Sequence, residues 1–376
     1  IQNNLFNKIL SGHDKSDGGL ITTVLEMCFA GNKGCILNID KYTDILKYFF
    51  NEEIGLVIEV YKKHTQMVID SFKSKVPVYK IGETIEDNIV EIVYNGEEVL
   101  NEKMTTLRQM WEKTSYMMEK KQMNNELAKN EYDLYGEFFN MKYEIPEHII
   151  NKLWNHIVLP NIIYKVAILR EEGSNGDREM ANAFYFAGFE VWDINMNDLI
   201  NNKNLLDDFH GIVFVGGFSF SDVICSAQGW YSVIKNNENV LNQINNFYER
   251  NNTFSLGVCN GCQLMALLDL IPNFKKLEKN NSQRFESRFS TVQIPKNNSI
   301  MLNNMEGLKM GIWVAHGEGK INFSNNELIA MQYVDNHLNP TEQYPFNPNG
   351  SINGVAAVTS INGRHLAMMP HPERSF

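Results

Sequence analysis

Residues 254–263 read Phe-Ser-Leu-Gly-Val-Cys-Asn-Gly-Cys-Gln, and this stretch indicates the fold of the C-terminal part of the chain. The apolar run Phe254–Val258 predicts a buried strand, and Gly261–Asp269 predicts a helix directly after it. A Gly-x-Cys-x-Gly turn between a strand and a helix is typical of a nucleophile elbow, in which glycines let the two backbones pass closely. Cys259 would then lie at a helix N-terminus, where the helix dipole favours a thiolate.

Three other interpretations of Cys259 compete with a nucleophile. It could be a buried structural thiol, or it could form a redox pair or half of a zinc site with Cys262. A redox Cys-x-x-Cys pair normally lacks the flanking glycines, and the sequence contains no second Cys-x-x-Cys or Cys-x-x-His. We therefore favour a nucleophile at Cys259 and a structural role for Cys262.

Further strands and helices alternate around this turn. A helix is predicted from Asp177, as its N-cap, to Ala187. The predicted strands before the elbow are Lys165–Arg170, Glu190–Asp193 and Gly211–Val215. Such alternation predicts a doubly wound parallel sheet, whose sites lie at the carboxyl ends of strands. Gly216-Gly217 and Cys259 both follow strands at that edge, and the backbone N–H groups of Gly217 and Asn260 could form an oxyanion hole.

A partner for the cysteine is expected near the C-terminus. A thiol nucleophile needs a base and a group that orients the base. Pro370-His371-Pro372-Glu373-Arg374 follows a predicted strand, Arg364–Met369. We expect an extended segment here, so that residues two apart point the same way and Glu373 fixes the tautomer of His371.

The first 140 residues predict a smaller α/β domain that precedes the sheet. Asn95-Gly96 predicts a hairpin, because its turn needs positive φ at two positions. The predicted helices are Leu20–Ala30, Asp44–Asn51, Thr65–Lys75 and Glu102 to about Asn130. The predicted strands are Cys35–Ile39, a buried Gly55–Tyr61, Val78–Ile81 and Asn88–Tyr94.

The length of 376 residues allows two domains. The pattern of strands and helices breaks between two prolines, Pro146 and Pro160. We therefore predict one domain over residues 1–140, a linker over 141–163 and a second domain over 164–376.

Charge and cysteine content exclude some classes of function. Lys and Arg number 34 against 45 Asp and Glu, a net charge of −11, which argues against a nucleic-acid or anionic membrane partner. No apolar run reaches the roughly 18 residues of a membrane helix, and no secretory signal is visible at Ile1. The five cysteines are few and odd in number, so we expect a reducing, cytoplasmic setting.

Four motifs make residues 164–376 similar to class I (triad) glutamine amidotransferase domains, which have a flavodoxin-like α/β fold. These motifs are Val-Cys-Asn-Gly-Cys-Gln (258–263), Arg-Phe-Glu-Ser-Arg-Phe (284–289), Ala-His-Gly-Glu-Gly (315–319) and Pro-His-Pro-Glu-Arg (370–374). The resemblance implies a glutaminase with Cys259 as nucleophile, His371 as base and Glu373 as the residue that orients the base. It further implies that Gly217, Asn260 and Gln263 bind the oxyanion and the substrate.

Two upstream motifs make the whole chain resemble the C-terminal part of the large, single-chain phosphoribosylformylglycinamidine synthase family. They are His13-Asp14-Lys15-Ser16-Asp17-Gly18-Gly19 and Arg108…Trp111…Thr114-Ser115-Tyr116. The resemblance implies an ATP-dependent C–N ligase of purine biosynthesis. Ammonia from glutamine would convert formylglycinamide ribonucleotide to formylglycinamidine ribonucleotide, and the rest of the synthetase would be a partner.

The same resemblance implies a Mg²⁺ ligand at Asp14 and an ATP or substrate contact at Ser16, although Asp14 could instead cap a loop. The chain departs from the family at Ser221, where glycine is usual, and at Gln228, where glutamate is usual. Three alternatives stay open: a different triad amidotransferase, a stand-alone cysteine hydrolase, and a non-catalytic amidotransferase-like domain that docks or regulates a partner.

Overall fold

The computed structural model describes residue 5 and residues 7–40, 44–72, 75–137, 142–153, 164–275, 277–323 and 325–375. The chain forms two compact units, Ile1–Lys121 with Ala128–Asn140, and Gln122–Leu127 with Met141–Phe376. The predicted borders at 140 and 163 stay a prediction. Within the predicted linker, Glu147–Leu153 forms a helix, and residues 154–163 lie outside the described residues.

The described residues of the first unit form two small sheets. One pairs β1 and β3 antiparallel, and the other has the order β4-β2-β5-β6. The strands are β1 (Ile9–Lys15), β2 (Gly34–Ile39), β3 (Gly55–Val60), β4 (Gly82–Ile85), β5 (Ile89–Tyr94) and β6 (Glu97–Lys103). The helices are α1 (Gly19–Gly31), α2 (Ile45–Phe50), α3 (Thr65–Phe72), α4 (Met104–Glu119) and α5 (Asn125–Leu134), whose first three residues belong to the second unit.

Most elements predicted for this unit are confirmed, including the hairpin, where Asn95 and Gly96 have φ of 52° and 83°. Three predictions are wrong. Val78–Ile81 is not a strand, because the segment that pairs antiparallel with β2 is the one directly after it, Gly82–Ile85. β3 is only half-buried, since among the described residues it pairs with β1 alone. The helix predicted from Glu102 is two helices, α4 and α5.

The second unit is built on a nine-stranded sheet of order β12-β11-β13-β14-β15-β10-β9-β7-β8. Its strands are β7 (Lys165–Arg170), β8 (Glu190–Asn195), β9 (Gly211–Phe214), β10 (Phe254–Val258), β11 (Glu286–Gln293), β12 (Lys309–His316), β13 (Ile329–Tyr333), β14 (Val355–Thr359) and β15 (His365–Met368). Its helices are α6 (Glu147–Leu153), α7 (Asp177–Phe186), α8 (Met196–Asn201), α9 (Gln228–Lys235), α10 (Glu238–Glu249) and α11 (Asn260–Leu267).

Five of these strands form the predicted parallel, doubly wound sheet. β8, β7, β9, β10 and β15 are parallel neighbours, and the order of the first four along the chain is 2-1-3-4, as in flavodoxin-like folds. β7, β9 and β10 are almost wholly buried, which explains their continuous apolar runs. The carboxyl ends of β9 and β10 therefore bring residues 216 and 259 to one edge.

An antiparallel extension, β11 to β14, continues the sheet beyond β15. Strands β11 to β14 are not among the elements predicted from the sequence. The predicted N-cap Asp177 is also wrong: Gly176, in a left-handed conformation with φ of 89°, precedes α7, and Asp177 is its first residue.

None of the helices in the described residues has the length and apolar character that crossing a bilayer requires.

Candidate active site

The turn at Cys259 has the backbone of a nucleophile elbow. β10 ends at Val258 and α11 begins at Asn260, so Cys259 alone joins them, with a φ of 52° and a ψ of −107°. Glycines are needed on both sides: a Cβ at Gly257 would lie 2.7 Å from the Gly261 oxygen, and one at Gly261 would overlap the Phe214 oxygen. The strained conformation is therefore held by close packing between strand and helix.

The two cysteines of the turn differ in their surroundings. Cys259 is 5% exposed, and its Sγ lies 3.4 Å from the Ala315 carbonyl oxygen in β12. Cys262 is fully buried in the core of the unit, and burial raises the pKa of its thiol well above the usual range. Cys262 therefore stays a neutral thiol, consistent with its predicted structural role.

His371 and Glu373 form a buried pair directly after β15. The Nδ1 atom of His371 lies 2.6 Å from Glu373 Oε1, and the two side chains are at most 2% exposed. The His371 backbone N–H donates to the Trp313 oxygen of β12 at 2.8 Å. The predicted extended segment is wrong in detail, because Pro372–Arg374 is a turn of 3₁₀-helix. Pro372 is the first residue of this turn, a position in which proline is favoured because its missing N–H would have no partner there.

Cys259 and His371 meet at Gly216. A Cβ at Gly216 would lie 2.8 Å from His371 Cε1 and 3.4 Å from the Cys259 Cβ. Nε2 of His371 has no hydrogen-bond partner among the described residues. Burial by itself lowers the pKa of His371, but Cys259 and Glu373 raise it to about 9. The cysteine, the histidine and the glutamate are thus one cluster in which the imidazolium form is favoured.

Gly217 and Asn260 present backbone N–H groups at the same edge of the sheet. Neither N–H has an acceptor within the part of the chain that the structure describes. The loop at Gly216-Gly217 is held by the 171–177 loop, since Asn175 N donates to the Gly216 oxygen at 2.8 Å and Phe218 N to the Gly173 oxygen at 2.9 Å. Two free donors on fixed backbone can stabilise a developing oxyanion.

The side chains of Asn260 and Gln263 join the loops around the cysteine. Asn260 Nδ2 donates to Gln263 Oε1 at 3.1 Å and to Asp222 Oδ1 at 3.4 Å. Gln263 Nε2 donates to the Glu318 carbonyl oxygen at 2.6 Å. Both side chains are buried, so they link the loop at 219–222 and the segment after β12 to the start of α11.

Of the two departures from the family pattern, Ser221 lies in this loop and Gln228 follows it at the start of α9. Ser221 has a φ of 56°, between two further left-handed residues, Phe220 and Asp222. Glycine adopts this conformation at no steric cost, whereas another residue loses about 1 kcal/mol or more. Gln228 is the first residue of α9 and follows Ala227, which also has positive φ.

Several residues of the site are absent from the predicted set. Trp313 and Ala315 contribute carbonyl oxygens, which no side-chain identity could reveal. Asp222 lies against Asn260, and burial raises the pKa of its carboxyl. The Ala-His-Gly-Glu-Gly motif, which begins in the last two residues of β12, was the one sequence feature that pointed to this strand as part of the site.

The upstream candidates, Asp14 and Ser16, lie in the first unit. Asp14 is in β1 rather than in a loop, and its carboxylate is 77% exposed and 3.4 Å from His13 Nδ1. His13 Nε2 lies 3.1 Å from Glu26 Oε2. Ser16 is exposed, and its carbonyl oxygen accepts the Gly19 N–H at 3.0 Å. No group of three or more metal-ligating side chains occurs within the described ranges.

Comparison with known families gives two matches. Residues 164–376 match the CobB/CobQ-like glutamine amidotransferase domain. Residues 2–95 match the C-terminal domain of AIR synthase related proteins.

Curated relatives match almost the whole chain. It is 45% identical over 400 residues to the probable chloroplastic/mitochondrial phosphoribosylformylglycinamidine synthase of Arabidopsis thaliana, covering 98% of this chain and 28% of the relative. Phosphoribosylformylglycinamidine synthases of Dictyostelium discoideum and Homo sapiens are 43% and 41% identical, each over 98% of this chain and 30% of the relative. The chain thus spans less than a third of the length of these relatives.

Proposed function

The chain belongs to the CobB/CobQ-like glutamine amidotransferase family, and from that membership we propose that residues 164–376 hydrolyse glutamine to glutamate and ammonia. The observation that carries this proposal is the buried cluster in which His371 bonds Glu373 at 2.6 Å and shares the Gly216 surface with Cys259. A thiol, an imidazole and a carboxylate in this order are the parts of a nucleophilic acyl-transfer site.

Attack on the amide would use Cys259 as a thiolate. Its Sγ bonds to the side-chain carbonyl carbon of glutamine, and the electron pair of the C=O bond moves to the oxygen. The free N–H groups of Gly217 and Asn260 would donate to that oxyanion. The side chain of Gln263, beside the Glu318 carbonyl, is our candidate for contacting the substrate.

His371 would transfer the protons. In the imidazolium form, which the raised pKa favours, its Nε2 proton passes to the leaving nitrogen, and ammonia departs as the C–N bond breaks. Neutral His371 then takes a proton from water, whose oxygen attacks the thioester and releases glutamate and the Cys259 thiolate. Glu373 would hold the ring in one tautomer throughout.

For the whole protein, we propose an ATP-dependent C–N ligase that converts formylglycinamide ribonucleotide to formylglycinamidine ribonucleotide in purine biosynthesis. Support comes from relatives of that name that are 41–45% identical over 98% of this chain. Residues 1–140 would be the last piece of the synthetase, joined through 141–163 to the glutaminase at 164–376. The remaining synthetase sequence would be the partner that receives ammonia.

Asp14 is our candidate ligand for Mg²⁺, and Ser16 our candidate contact to ATP or the ribonucleotide. A single exposed carboxylate is compatible with Mg²⁺, which usually takes one or two carboxylates and completes its shell with water and phosphate oxygens. When bound, the ion would neutralise charge on the phosphates of ATP. Exposure of Ser16 leaves its hydroxyl accessible to a substrate.

We also propose a cytoplasmic location. The five cysteines, all within the described residues, are free thiols, which fits a reducing compartment. Imaging of the tagged full-length protein would test this, and a plastid or mitochondrial signal would contradict it.

Transfer of isotope tests the proposed function. The full-length protein is supplied with ATP, Mg²⁺, formylglycinamide ribonucleotide and glutamine labelled with ¹⁵N in its amide. We expect the label in the amidine of the product, because the amide nitrogen is what the glutaminase releases. Glutamine labelled only at the α-amino nitrogen is the control and should transfer no label. Product that forms without amide-derived ¹⁵N would refute the proposal.

A further inference from the structure

Another buried histidine, His316, lies at the end of β12 and has no part in the proposed chemistry. It is 2% exposed, and it follows Ala315, whose carbonyl oxygen contacts Cys259 Sγ at 3.4 Å. Its Nδ1 lies 3.2 Å from Asn280 Oδ1, whereas Nε2 has no hydrogen-bond partner in the described stretches of the chain. The tautomer of this ring can be deduced from its hydrogen bond to Asn280.

Asn280 is itself held in a single orientation. Its Nδ2 lies 3.0 Å from the Arg284 carbonyl oxygen and 2.8 Å from the His316 carbonyl oxygen, both of which can only accept. Its Oδ1 lies 3.1 Å from the Gly319 backbone N–H, which can only donate. A flipped amide would place its NH₂ group against the Gly319 N–H, donor against donor, and its oxygen against the two carbonyl oxygens, acceptor against acceptors. Oδ1 must therefore be the atom that faces His316.

The orientation of Asn280 determines which nitrogen of His316 carries the proton. An amide oxygen accepts, so Nδ1 of His316 must be the donor. Burial and the charge of His371 lower the pKa of His316 to about 3, so the ring is neutral near pH 7. A neutral imidazole has one N–H, and Nε2 is therefore an unprotonated acceptor.

Packing and pairing leave the ring little freedom. A Cβ at Gly319 would overlap the His316 ring, so the backbone of that glycine covers it closely. Charged groups near it include His371 and Glu286, its partner in the β11–β12 register, whose carboxylate is paired with Arg284 and Arg288. Asn280 N also donates to the Gly317 oxygen at 3.0 Å, so one asparagine bonds to residues 316, 317 and 319.

We propose that His316 is a positioning residue of the glutaminase site: as the neutral Nδ1–H tautomer bonded to Asn280, it fixes the Gly317–Gly319 segment against Gln263. The contact through which it acts is the 2.6 Å bond from Gln263 Nε2 to the Glu318 carbonyl oxygen. Loss of the Nδ1 donor leaves Asn280 Oδ1 with one partner fewer and loosens that segment. The effect on glutamine rests on the proposed function, whereas the tautomer does not.

The tautomer is tested by ¹⁵N NMR of the histidine rings in this chain, with His316→Gln identifying the signals. We expect a pyridine-like Nε2 and a protonated Nδ1 that do not change from about pH 5 to about pH 8. A protonated Nε2, or a ring that titrates in this range, would overturn the inference even if glutamine hydrolysis is normal.

The positioning role is tested by two matched variants. The amide nitrogen of His316→Asn can replace Nδ1 as donor to Asn280, whereas that of His316→Gln replaces Nε2. We expect His316→Gln to raise KM for glutamine roughly ten-fold with little change in kcat, and His316→Asn to stay within about two-fold of the parent. Equal KM values in the two variants, or a larger rise in His316→Asn, would overturn it. Unfolding temperatures of both variants control for misfolding, and a parent without glutaminase activity would instead count against the proposed function.

Discussion

Replacing Cys259 with alanine is expected to abolish glutamine-dependent product formation and to leave ammonium-dependent formation intact in the full-length protein. Alanine has no thiol to attack the amide, and the synthetase reaction needs only ammonia. We expect glutamine hydrolysis to fall at least about 10³-fold, the scale on which loss of a covalent nucleophile is felt. The two rates are measured side by side, with glutamine or ammonium chloride as nitrogen source.

Cys262→Ala is the matched control for this variant. It removes a thiol from the same turn, but one that is fully buried in the core. We expect its glutamine-dependent rate to stay within about three-fold of the parent, with only a modest cost in stability from the small cavity. Undiminished glutamine hydrolysis by Cys259→Ala would exclude Cys259 as the nucleophile, and its loss in a folded Cys262→Ala protein would contradict a purely structural role for Cys262.

Glu373→Gln is expected to have the second largest effect. It keeps the shape of the side chain but removes the negative charge 2.6 Å from His371 Nδ1. The imidazolium loses that stabilisation, the pKa of His371 falls, and the ring is free to take the wrong tautomer. We expect kcat for glutamine hydrolysis to fall roughly 10²- to 10⁴-fold with little change in KM, because the carboxylate acts through His371 rather than on glutamine.

Steady-state kinetics over a range of pH would measure both effects of Glu373→Gln. Glu278→Gln is a suitable control, since Glu278 is 57% exposed and pairs with Lys320 in the same unit. A kcat within two-fold or so of the parent would rule out an orienting role for Glu373.

The parts of the site that sequence could predict are those whose residues are neighbours in the chain. The elbow depends on Gly257 and Gly261 beside Cys259, and all three fall within five positions. His371 and Glu373 are two positions apart, so their pairing was also foreseeable, although through a 3₁₀ turn rather than an extended segment. The apolar residues of β7, β9 and β10 are also neighbours in the chain, so their continuous runs predicted the buried parallel strands.

The parts that could not be predicted depend on pairing between distant segments. β12 supplies carbonyl oxygens to both Cys259 and His371. The position of β12 in the sheet depends on antiparallel pairing with β11, and most of the paired residues are more than twenty positions apart in the chain. A carbonyl is present in every residue, so composition carries no signal for it. His316 was visible as part of a motif, but its partner Asn280 lies 36 positions away.

Covalent labelling tests the central claim most directly: that Cys259 is a nucleophile activated by the His371–Glu373 pair. The parent chain is treated with a diazoketone analogue of glutamine, digested, and mapped by mass spectrometry. We predict one label, on Cys259, that glutamine protects against and that Glu373→Gln slows. Labelling of Cys262 or another residue instead, or labelling of Cys259 at the same rate in Glu373→Gln, would contradict the account.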